Sequence, residues 1–196
     1  MQLQQVRQLS QSELKQIVNL HSKVLSDSNL NKFGRIFLKL IYNTSARDKE
    51  CLLLILKDND NVVGFALTSR NSHYFYRQII AQNRLKAYTL MVLGFLKNPA
   101  LFLETVKWLF QKDDSIYSAE LIFLAIDPNY QRQGWGQKLV KETINILRKE
   151  KIQFLVKTGF DVKQSNNFYK KNKFEYLYQK KVMGKNFNFY LSPKLK

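Results

Sequence analysis

Residues 120–150, ELIFLAIDPNYQRQGWGQKLVKETINILRKE, read as a strand, a tight turn and a helix. The run from Leu121 to Ile126 is apolar throughout, which is typical of a strand covered on both faces in the middle of a sheet. Asp127 and Pro128 then end the strand, because proline cannot continue a ladder and aspartate favours turns. The following helix carries its apolar side chains on one face, and these are Leu139, Val140, Ile144, Ile146 and Leu147.

Two glycines, Gly134 and Gly136, stand where this helix begins. The first turn of a helix has backbone N–H groups without partners inside the helix, and the helix dipole adds about half a positive charge there. A residue without a Cβ lets an anion such as a phosphate approach these amides closely. The spacing is neither a dinucleotide fingerprint nor a P-loop, and a glycine-eased turn without a ligand is the alternative.

The whole stretch resembles the acetyl-CoA signature of the GCN5-related N-acetyltransferase (GNAT) family, which is Gln/Arg-x-x-Gly-x-Gly/Ala after a central strand. Gln131, Gly134 and Gly136 occupy the signature positions, and Leu-Ala-Ile-Asp-Pro matches the usual strand ending. The resemblance implies an N-acetyltransferase that moves acetyl from acetyl-CoA to a primary amine by direct attack in a ternary complex. It also implies an α/β fold with a mixed, mostly antiparallel sheet, one parallel pair (the fourth and fifth strands) and helices on both faces.

The resemblance assigns residues to acetyl-CoA and implies no metal. The pyrophosphate is expected on the loop from Gln131 to Gln137. The pantetheine arm is expected against the backbone of the central strand, in a gap between the fourth and fifth strands. The expected donor-binding residues are Leu124, Ala125, Ile126, Gln131, Arg132, Gln133, Gly134, Trp135, Gly136, Gln137 and Asn167.

A second family motif, Phe-Tyr-x-x-x-Gly-Phe, is matched by residues 168–174, with Lys173 in place of the glycine. A phenol of pKa about 10 is protonated at neutral pH and can donate a proton to a leaving thiolate, whose parent pKa is about 8.5. Tyr169 is therefore the candidate general acid, and simple packing against Phe168 and Phe174 is the alternative.

Two positions ahead of this motif also depart from the family. The family tends to carry an asparagine seven residues before the tyrosine and an alanine four before it, and this chain has Val162 and Ser165 there. The contact of that asparagine with CoA is expected to pass to Asn166 or Asn167.

Glu120 is the candidate general base. An amine acceptor arrives as an ammonium with a pKa near 10, so a proton must leave before the attack. Ala119-Glu120 followed by Phe123-Leu124-Ala125 resembles the strand of the histone-acetylating branch, where a glutamate at this place is the base. The alternative is a solvated carboxylate at a strand end. The branch that acetylates ribosomal protein N termini has a glutamate on the fifth strand, where this chain has Lys157.

The composition of the chain limits its domain number, its location and its partners. With 196 residues, 45% of them hydrophobic, the chain is expected to form one acetyltransferase domain over residues 1–196. Its single cysteine, Cys51, excludes a disulfide within the chain and favours a reducing, cytoplasmic location, with the thiol buried as a small hydrophobe. The net charge of +17 indicates a polyanionic neighbour: CoA, a nucleic acid, an anionic membrane surface or an acidic acceptor. A merely solvated basic surface is the alternative.

The remaining elements follow in the order expected for the family. The patterns predict a strand over Leu3–Leu9 and a helix started by a Ser10–Glu13 capping box, with His21 packed on its buried face. A second helix with Phe33, Ile36, Phe37, Leu40 and Ile41 inward comes next, followed by a hairpin of Cys51–Leu56 and Val62–Leu67. The later strands are predicted at Ile152–Val156, Glu175–Val182 and Phe187–Leu191, the last two antiparallel to the fifth.

Residues 73–112 are predicted to be a helical insertion before the central strand. One helix is expected to end near Lys97, and another to begin at Asn98-Pro99. The insertion is read as a helical pair packed over the sheet or at a homodimer contact. Its alternatives are a lid that shapes the acceptor pocket or a basic amphipathic surface that touches an anionic membrane. The charge-free stretch between Lys86 and Lys97 is shorter than the roughly 18 residues of a membrane span.

Two function classes remain in competition. The first is the acetyltransferase, whose acceptor is a small-molecule or protein amine, with nucleic acid not expected as its substrate. The second is a non-catalytic module that binds CoA, RNA or another polyanion through the basic surface. No aromatic RNA-reading motif or helix-turn-helix signature supports the second class.

Overall fold

The computed structural model describes residues 1–26, 28–97, 117–182 and 184–194. The strands in this part of the chain are β1 (Gln2–Val6), β2 (Cys51–Asp58), β3 (Asn61–Ser69), β4 (Ala119–Ile126), β5 (Phe154–Gly159), β6 (Glu175–Val182) and β7 (Lys185–Leu191). The helices are α1 (Gln11–Val24), α2 (Asn29–Lys32), α3 (Arg35–Arg47), α4 (Phe75–Gln82), α5 (Arg84–Lys97), α6 (Trp135–Lys149) and α7 (Lys163–Lys171), with a 3-10 turn at Pro128–Tyr130.

The strands form one mixed sheet in the order β1-β2-β3-β4-β5-β7-β6. Neighbouring strands are antiparallel except β4 and β5, which are parallel. Helix α6 connects this parallel pair, as a parallel connection requires a crossover. The predicted fold class is therefore confirmed. Strand β7 pairs with β5 and is antiparallel to it, as predicted. Strand β6 lies outside β7 at the edge of the sheet and is antiparallel to β7, so it runs parallel to β5, and the prediction that both closing strands are antiparallel to the fifth is wrong for β6.

Two apolar cores cover the two faces of the sheet. The α1-side core contains inward residues of α1 and α3 together with Leu53, Ile55 and Phe65. The α6-side core contains Leu139, Val140 and Leu147 of α6 together with the alternate residues of β2, which are Leu52, Leu54 and Leu56. Because both faces of β2 are covered, the strand is apolar without alternation.

Helix α1 begins with the predicted capping box. The Glu13 backbone N–H donates to Ser10 Oγ at 3.1 Å, and the Ser10 N–H donates to Glu13 Oε2 at 2.9 Å. Two amides that the helix leaves without internal partners are thereby satisfied. Lys57 of β2 also pairs with Glu13 at 3.2 Å, which ties the helix start to the sheet.

The second predicted helix is wrong at its start. Gly34 has φ +87° and separates the short α2 from α3, so Phe33 lies outside α3. Ile36 is 57% exposed instead of inward, while Phe37, Leu40 and Ile41 are buried as expected. The inward stripe of α3 also contains Leu38 and Tyr42, so the true helical phase differs by one residue from the one that Phe33 and Ile36 indicated.

The other boundaries differ by a few residues. The first strand ends at Val6 rather than at residue 9, and β5 runs over Phe154–Gly159 rather than over residues 152–156. The hairpin strands extend to Asp58 and start again at Asn61, so the loop has two residues, with Asn59 at φ +52°. A positive φ is common in such tight hairpin turns, and asparagine tolerates it.

The insertion between β3 and β4 begins with α4 and α5. One longer helix ending near Lys97 had been predicted, and the structure breaks it at Asn83, whose side-chain amide donates to Thr44 Oγ1 and to the Ile79 carbonyl, at 3.0 Å each. The predicted second helix from Asn98 lies outside the described residues. The Ser72 N–H donates to the Ser118 carbonyl at 2.7 Å, so the chain leaves and rejoins the sheet at one place.

The outer side of α5 is apolar and exposed. Its exposed apolar residues are Leu85, Tyr88, Val92, Leu93 and Leu96. None of the helices in the described ranges is long and apolar enough to cross a membrane.

Candidate active site

The parallel strands β4 and β5 separate in the middle of the sheet. Their pairing covers three residue pairs, from Ala119–Phe154 to Leu121–Val156. Beyond these pairs β4 continues to Ile126 and β5 to Gly159. The two strands therefore border a split that opens toward the carboxyl ends of both, and backbone N–H and C=O groups along such an edge can bond a ligand.

A β-bulge in β4 lies where the split begins. Leu67 of β3 faces Phe123, while the next residue, Thr68, faces Leu121, so Ile122 is an extra residue in β4. Ile122 and Phe123 consequently both pack toward the α1-side core. A bulge bends its strand and increases the local twist, which turns β4 away from β5.

The predicted pantetheine-binding residues lie along the split, in the second half of β4. Leu124 and Ile126 point to the α6-side core, and Ala125 points to the α1-side core. The Ile126 carbonyl already accepts a hydrogen bond from Gln131 Nε2 at 2.9 Å. The signature glutamine thus ties the loop to the end of the strand, and its side-chain amide has a structural partner.

In the loop before α6, the residue at the helix start has no side chain to cover the backbone amides. Gly134 is the N-cap residue with φ +84°, and a Cβ built there would meet nothing within 4 Å. Without a side chain, Gly134 cannot itself bond the amides of the first turn. Arg132 also has a positive φ, +60°, and is exposed beside it. The start of a 15-residue helix is therefore open to an anion.

The other loop side chains make local contacts. Gln133 Nε2 donates to the Asn129 carbonyl at 3.0 Å, and Trp135 Nε1 donates to Gln133 Oε1 at 3.4 Å. Lys138 Nζ lies 5.1 Å from the Trp135 ring centroid. Gln137 is exposed on the first turn of α6.

The second glycine has a different surrounding from the first. A Cβ on Gly136 would lie 3.5 Å from Phe168 Cε2 and 3.8 Å from Ile126 Cγ1, which are ordinary contact distances. Gly136 thus lies where α6 passes close to α7 and to the end of β4. A side chain would therefore have open space at Gly134, whereas at Gly136 it would contact Phe168 and Ile126.

Tyr169 is held in the α6-side core, 7% exposed. Its ring centroid lies 5.1 Å from that of Phe168, 5.2 Å from that of Phe174 and 6.1 Å from that of Tyr190. Burial raises the pKa of the Tyr169 phenol above its usual value of 10, so the phenol carries its proton at neutral pH. The same core contains Leu121, Ile126 and Val156, which border the split.

Two neighbours of Tyr169 in the sequence explain the departures from the family motif. Lys173, which stands where the motif has glycine, has φ +62°, a left-handed conformation that glycine adopts without steric cost. Asn166 Nδ2 donates to the carbonyls of Gly159, Phe160 and Val162 at 2.9–3.2 Å. Its Oδ1 accepts from Asn188 Nδ2 and Tyr190 Oη at 2.9 Å each, so its amide is used within the fold. Asn167 is exposed on α7.

Glu120 lies at the paired end of β4, before the split. Its Oε2 is 2.8 Å from Lys157 Nζ of β5, and the side chains are 12% and 26% exposed. Tyr76 of α4 is close enough to Glu120 for its pKa to respond: burial raises the pKa of the Tyr76 phenol, and the Glu120 charge raises it further. Glu120 is therefore not the solvated strand-end carboxylate that was the alternative to a general base.

Two further polar residues are packed as predicted. His21 has no exposed surface, and its Nδ1 is 2.6 Å from Tyr42 Oη. Burial lowers the pKa of His21 to about 4. Cys51 is buried, and burial, assisted by the nearby Asp48 charge, raises the pKa of its thiol to about 12. A reactive thiolate at neutral pH is therefore excluded at Cys51.

Sequence reasoning missed the bulge at Ile122 and the contacts of Lys157 and Tyr76 with Glu120. No sequence signal marks the bulge, because all residues around it are apolar. The pairing of Lys157 with Glu120 could have been found from strand register, because the two strands are parallel neighbours. In the part of the chain that the structure describes, no group of three or more His, Cys, Asp or Glu residues is arranged to hold a metal ion.

Comparisons with known proteins agree with this geometry. The family model described as "Acetyltransferase (GNAT) family" matches residues 14–174. None of the curated proteins searched matches the chain.

Several solved structures share the fold over nearly the whole chain. The ribosomal-protein-S18-alanine N-acetyltransferase from Escherichia coli is 13% identical, with a TM-score of 0.60 over 100% of this chain and 94% of that one. An acetyltransferase from Thermus thermophilus is 11% identical, with a TM-score of 0.60 over 98% and 97%. The PaiA N-acetyltransferase from Thermoplasma acidophilum, solved in complex with coenzyme A, is 14% identical, with a TM-score of 0.58 over 96% and 98%. At these identities the likeness concerns the fold.

Proposed function

Because this chain belongs to the acetyltransferase (GNAT) family, we propose that it moves the acetyl group of acetyl-CoA to a primary amine by direct attack within a ternary complex. The split between β4 and β5 is the observation that carries the proposal. A sheet has little reason to leave two adjacent parallel strands unpaired over half their length, since unpaired backbone groups cost free energy. An extended amide-bearing arm laid in the split would satisfy them.

The loop before α6 supports phosphate binding at one end of the split. Gly134 leaves the first-turn amides accessible, and Arg132 adds a positive charge beside them. We assign the pyrophosphate of the donor to residues 131–137. We assign its pantetheine amides to the backbone of Leu124 and Ala125 and to the N–H of Ile126, whose carbonyl is engaged by Gln131. Asn167, exposed on α7, is assigned a peripheral contact.

Acetyl-CoA supplies an acetyl group already activated as a thioester. On the acceptor side, the Glu120 carboxylate takes the proton of the ammonium, directly or through water. The amine nitrogen then bonds to the acetyl carbon while the carbon–sulfur bond breaks. Tyr169, which is protonated at neutral pH, donates its proton to the departing sulfur, and the second proton lost by the acylated nitrogen returns to the Tyr169 phenolate through water.

The acceptor is open between small-molecule and protein amines. We propose a cytoplasmic enzyme, from the use of a single cysteine, with residues 1–196 as one domain. The insertion that begins with α4 lies next to Glu120 through Tyr76, which supports a role for the insertion in shaping the acceptor pocket. A homodimer contact or a peripheral membrane contact of the insertion remains the competing proposal for its apolar outer side.

The reaction is tested by the release of free thiol from acetyl-CoA with a panel of amino acids, polyamines, amino sugars and lysine peptides. We expect release with at least one acceptor class, and loss of turnover by more than about tenfold in Tyr169→Phe with little change in acetyl-CoA affinity. Tyr176→Phe, a change at an exposed tyrosine of β6, serves as the control. No thiol release across the panel, with no acetyl-CoA bound, would contradict the proposal.

The phosphate site is tested by Gly134→Glu. The new carboxylate stands where the phosphates are expected, so acetyl-CoA affinity should fall by two orders of magnitude or more by calorimetry, on the order of 3 kcal/mol. Gly184→Glu is the matched control, because Gly184 also has a positive φ, +81°, and no atoms within 4 Å of a built Cβ. Equal affinities in the two variants would refute the loop assignment.

A further inference from the structure

A row of side chains crosses four neighbouring strands on the face of the sheet that carries Glu120. Lys157 Nζ of β5 is 2.8 Å from Glu120 Oε2 of β4 and 5.6 Å from the ring centroid of Phe189 in β7. The Phe189 ring stacks on Tyr178 of β6, with centroids 4.7 Å apart and an interplanar angle of 25°. The row thus runs from a largely buried carboxylate to an exposed tyrosine at the sheet edge.

Strand register fixes the lysine in this row. Lys157 faces Phe189 directly across the β5–β7 pairing, and Phe189 faces Tyr178 across the β7–β6 pairing. Residues directly opposite on one face have their Cβ atoms about 5 Å apart, so these contacts follow from the backbone. The ammonium is held by a carboxylate on one side and an aromatic face on the other, and both contacts favour the charged amine.

Several groups near Glu120 come from other elements of the fold. Lys157 approaches from β5, and Tyr76 approaches from α4 with a pKa that burial and the Glu120 charge raise. The partner of Glu120 across the β3–β4 pairing is Ser69, which does not titrate. Tyr42 is a further tyrosine near Tyr76, and its pKa is raised by burial and by Tyr76. Lys157 is therefore the positive charge among these neighbours.

We propose that Lys157 is a positioning residue for the acetyl transfer, one that holds the Glu120 carboxylate by an ion pair in the orientation that receives the acceptor's proton. The inference rests on the proposed function, in which Glu120 is the base. Lys157 binds Oε2, so the proposal assigns the acceptor's proton to Oε1. A carboxylate that must accept a proton from an ammonium has to be charged when the substrate arrives, and a neighbouring ammonium favours that charged form.

The experiment compares Lys157→Met, Lys157→Arg and Glu120→Gln by kcat/KM as a function of pH, using the best acceptor of the panel. In Lys157→Met we expect kcat/KM at pH 7 to fall about tenfold and the acidic limb of the profile to move to higher pH by about one unit. Lys157→Arg retains the charge, so its acidic limb should stay within a few tenths of the wild-type position. Lys141→Met, which removes an exposed lysine of α6, is the matched control and should match the wild type.

The variants test the two claims separately: Glu120→Gln tests the general base, and Lys157→Met tests the positioning role of the lysine. If Glu120→Gln turns over at the wild-type rate, the base assignment is wrong and the inference ends with it. If Glu120→Gln is strongly impaired while Lys157→Met keeps the wild-type acidic limb, the inference alone is overturned. Lys157→Gln is the second neutral variant, used if the methionine variant does not fold, with the same expected displacement. Acetyl-CoA affinity should be unchanged in all these variants, since none of the substituted side chains is assigned a contact with the donor.

Discussion

At the scale of single residues, burial decides what His21 contributes. The imidazole has no exposed surface, and its Nδ1 lies 2.6 Å from the Tyr42 hydroxyl, while Nε2 has no hydrogen-bond partner among the described residues. A charged imidazolium in this place would lose its hydration with little in exchange, so burial lowers its pKa to about 4. A histidine of pKa near 6.5 in the unfolded chain thus becomes a neutral core residue on folding.

This shift predicts a loss of stability in mild acid. Between pH 6.5 and 4 the unfolded chain binds a proton at residue 21 that the folded chain does not, so the free energy of unfolding falls as the pH falls through this window. The loss should reach about 3 kcal/mol at its lower end, and urea unfolding at several pH values measures it. Glu150, whose pKa is lowered by its hydrogen bonds from Arg70, titrates below pH 4.5 and leaves the upper part of the window to the histidine.

The control for this prediction is His21→Gln, which retains a polar side chain without titration near neutrality. Its free energy of unfolding should be nearly independent of pH between 6.5 and 5. A slope equal to that of the wild type would assign the pH dependence to other groups.

At the scale of secondary-structure elements, one asparagine makes most of the polar contacts between α7 and the sheet that the structure gives. Asn166 bonds three carbonyls at the end of β5 and the start of α7, and it accepts from two side chains of β7. Removal of such a side chain leaves several buried donors and acceptors without partners, each at a cost of about 1–3 kcal/mol, although relaxation and water entry offset part of it.

Asn166→Ala is therefore predicted to lower the free energy of unfolding by about 2–4 kcal/mol in urea titrations. The adjacent Asn167→Ala, at an exposed position of the same helix, should change it by less than about 0.5 kcal/mol. Equal effects of the two substitutions would show that the asparagine network contributes little.

The order of the helices and strands could be predicted from the sequence. Which side chains face the core could not be predicted everywhere, and α3 and β4 are the two exceptions. Proline, glycine and capping residues mark the ends of the central strand and of α1, because these residues restrict the backbone locally. Both of these errors have causes that the spacing of apolar residues does not display. Phe33 and Ile36 continue a helical spacing across Gly34, and only the positive φ of that glycine reveals that the helix restarts. In β4, an extra residue inside an entirely apolar run changes no pattern that a sequence displays.

The candidate site could be predicted in part for the same reason. The glycine-rich loop is a local feature, and its backbone role follows from the sequence. The partners of Glu120 come from β5 and α4, which lie far along the chain, so their contacts depend on strand register and on the insertion. The motif around Tyr169 was found despite Lys173, and the structure adds that this lysine has φ +62°, the conformation for which the family uses glycine.

At the scale of the whole molecule, the net charge of +17 sets the behaviour toward polyanions. The lysines are distributed over many elements, which favours weak and nonspecific attraction over a shaped nucleic-acid site. A basic surface of this kind also raises the local concentration of a phosphate-bearing donor. The charge therefore agrees with the acetyltransferase as well as with a polyanion-binding module.

The two classes are separated by salt. We expect single-stranded RNA to bind only at low ionic strength, with the affinity lost as NaCl rises from about 50 to about 200 mM, because such binding comes from counterion release. Thiol release with a good acceptor should continue at the higher salt concentration and should not respond to added RNA. Salt-sensitive RNA binding by a protein that acetylates no amine in the panel would favour the binding module instead.

The extra residue at position 122 has a consequence for how this sheet could evolve. Ala119 and Leu121 point to one side of β4, but beyond the bulge that side is taken by Leu124 and Ile126, so the alternation is displaced by one step. Deletion of this one residue would restore the regular alternation of side chains in β4. Strand β5 could then pair with β4 along its full length. Such a protein would keep the sheet and its two helical layers but would lose the split, and with it the proposed activity.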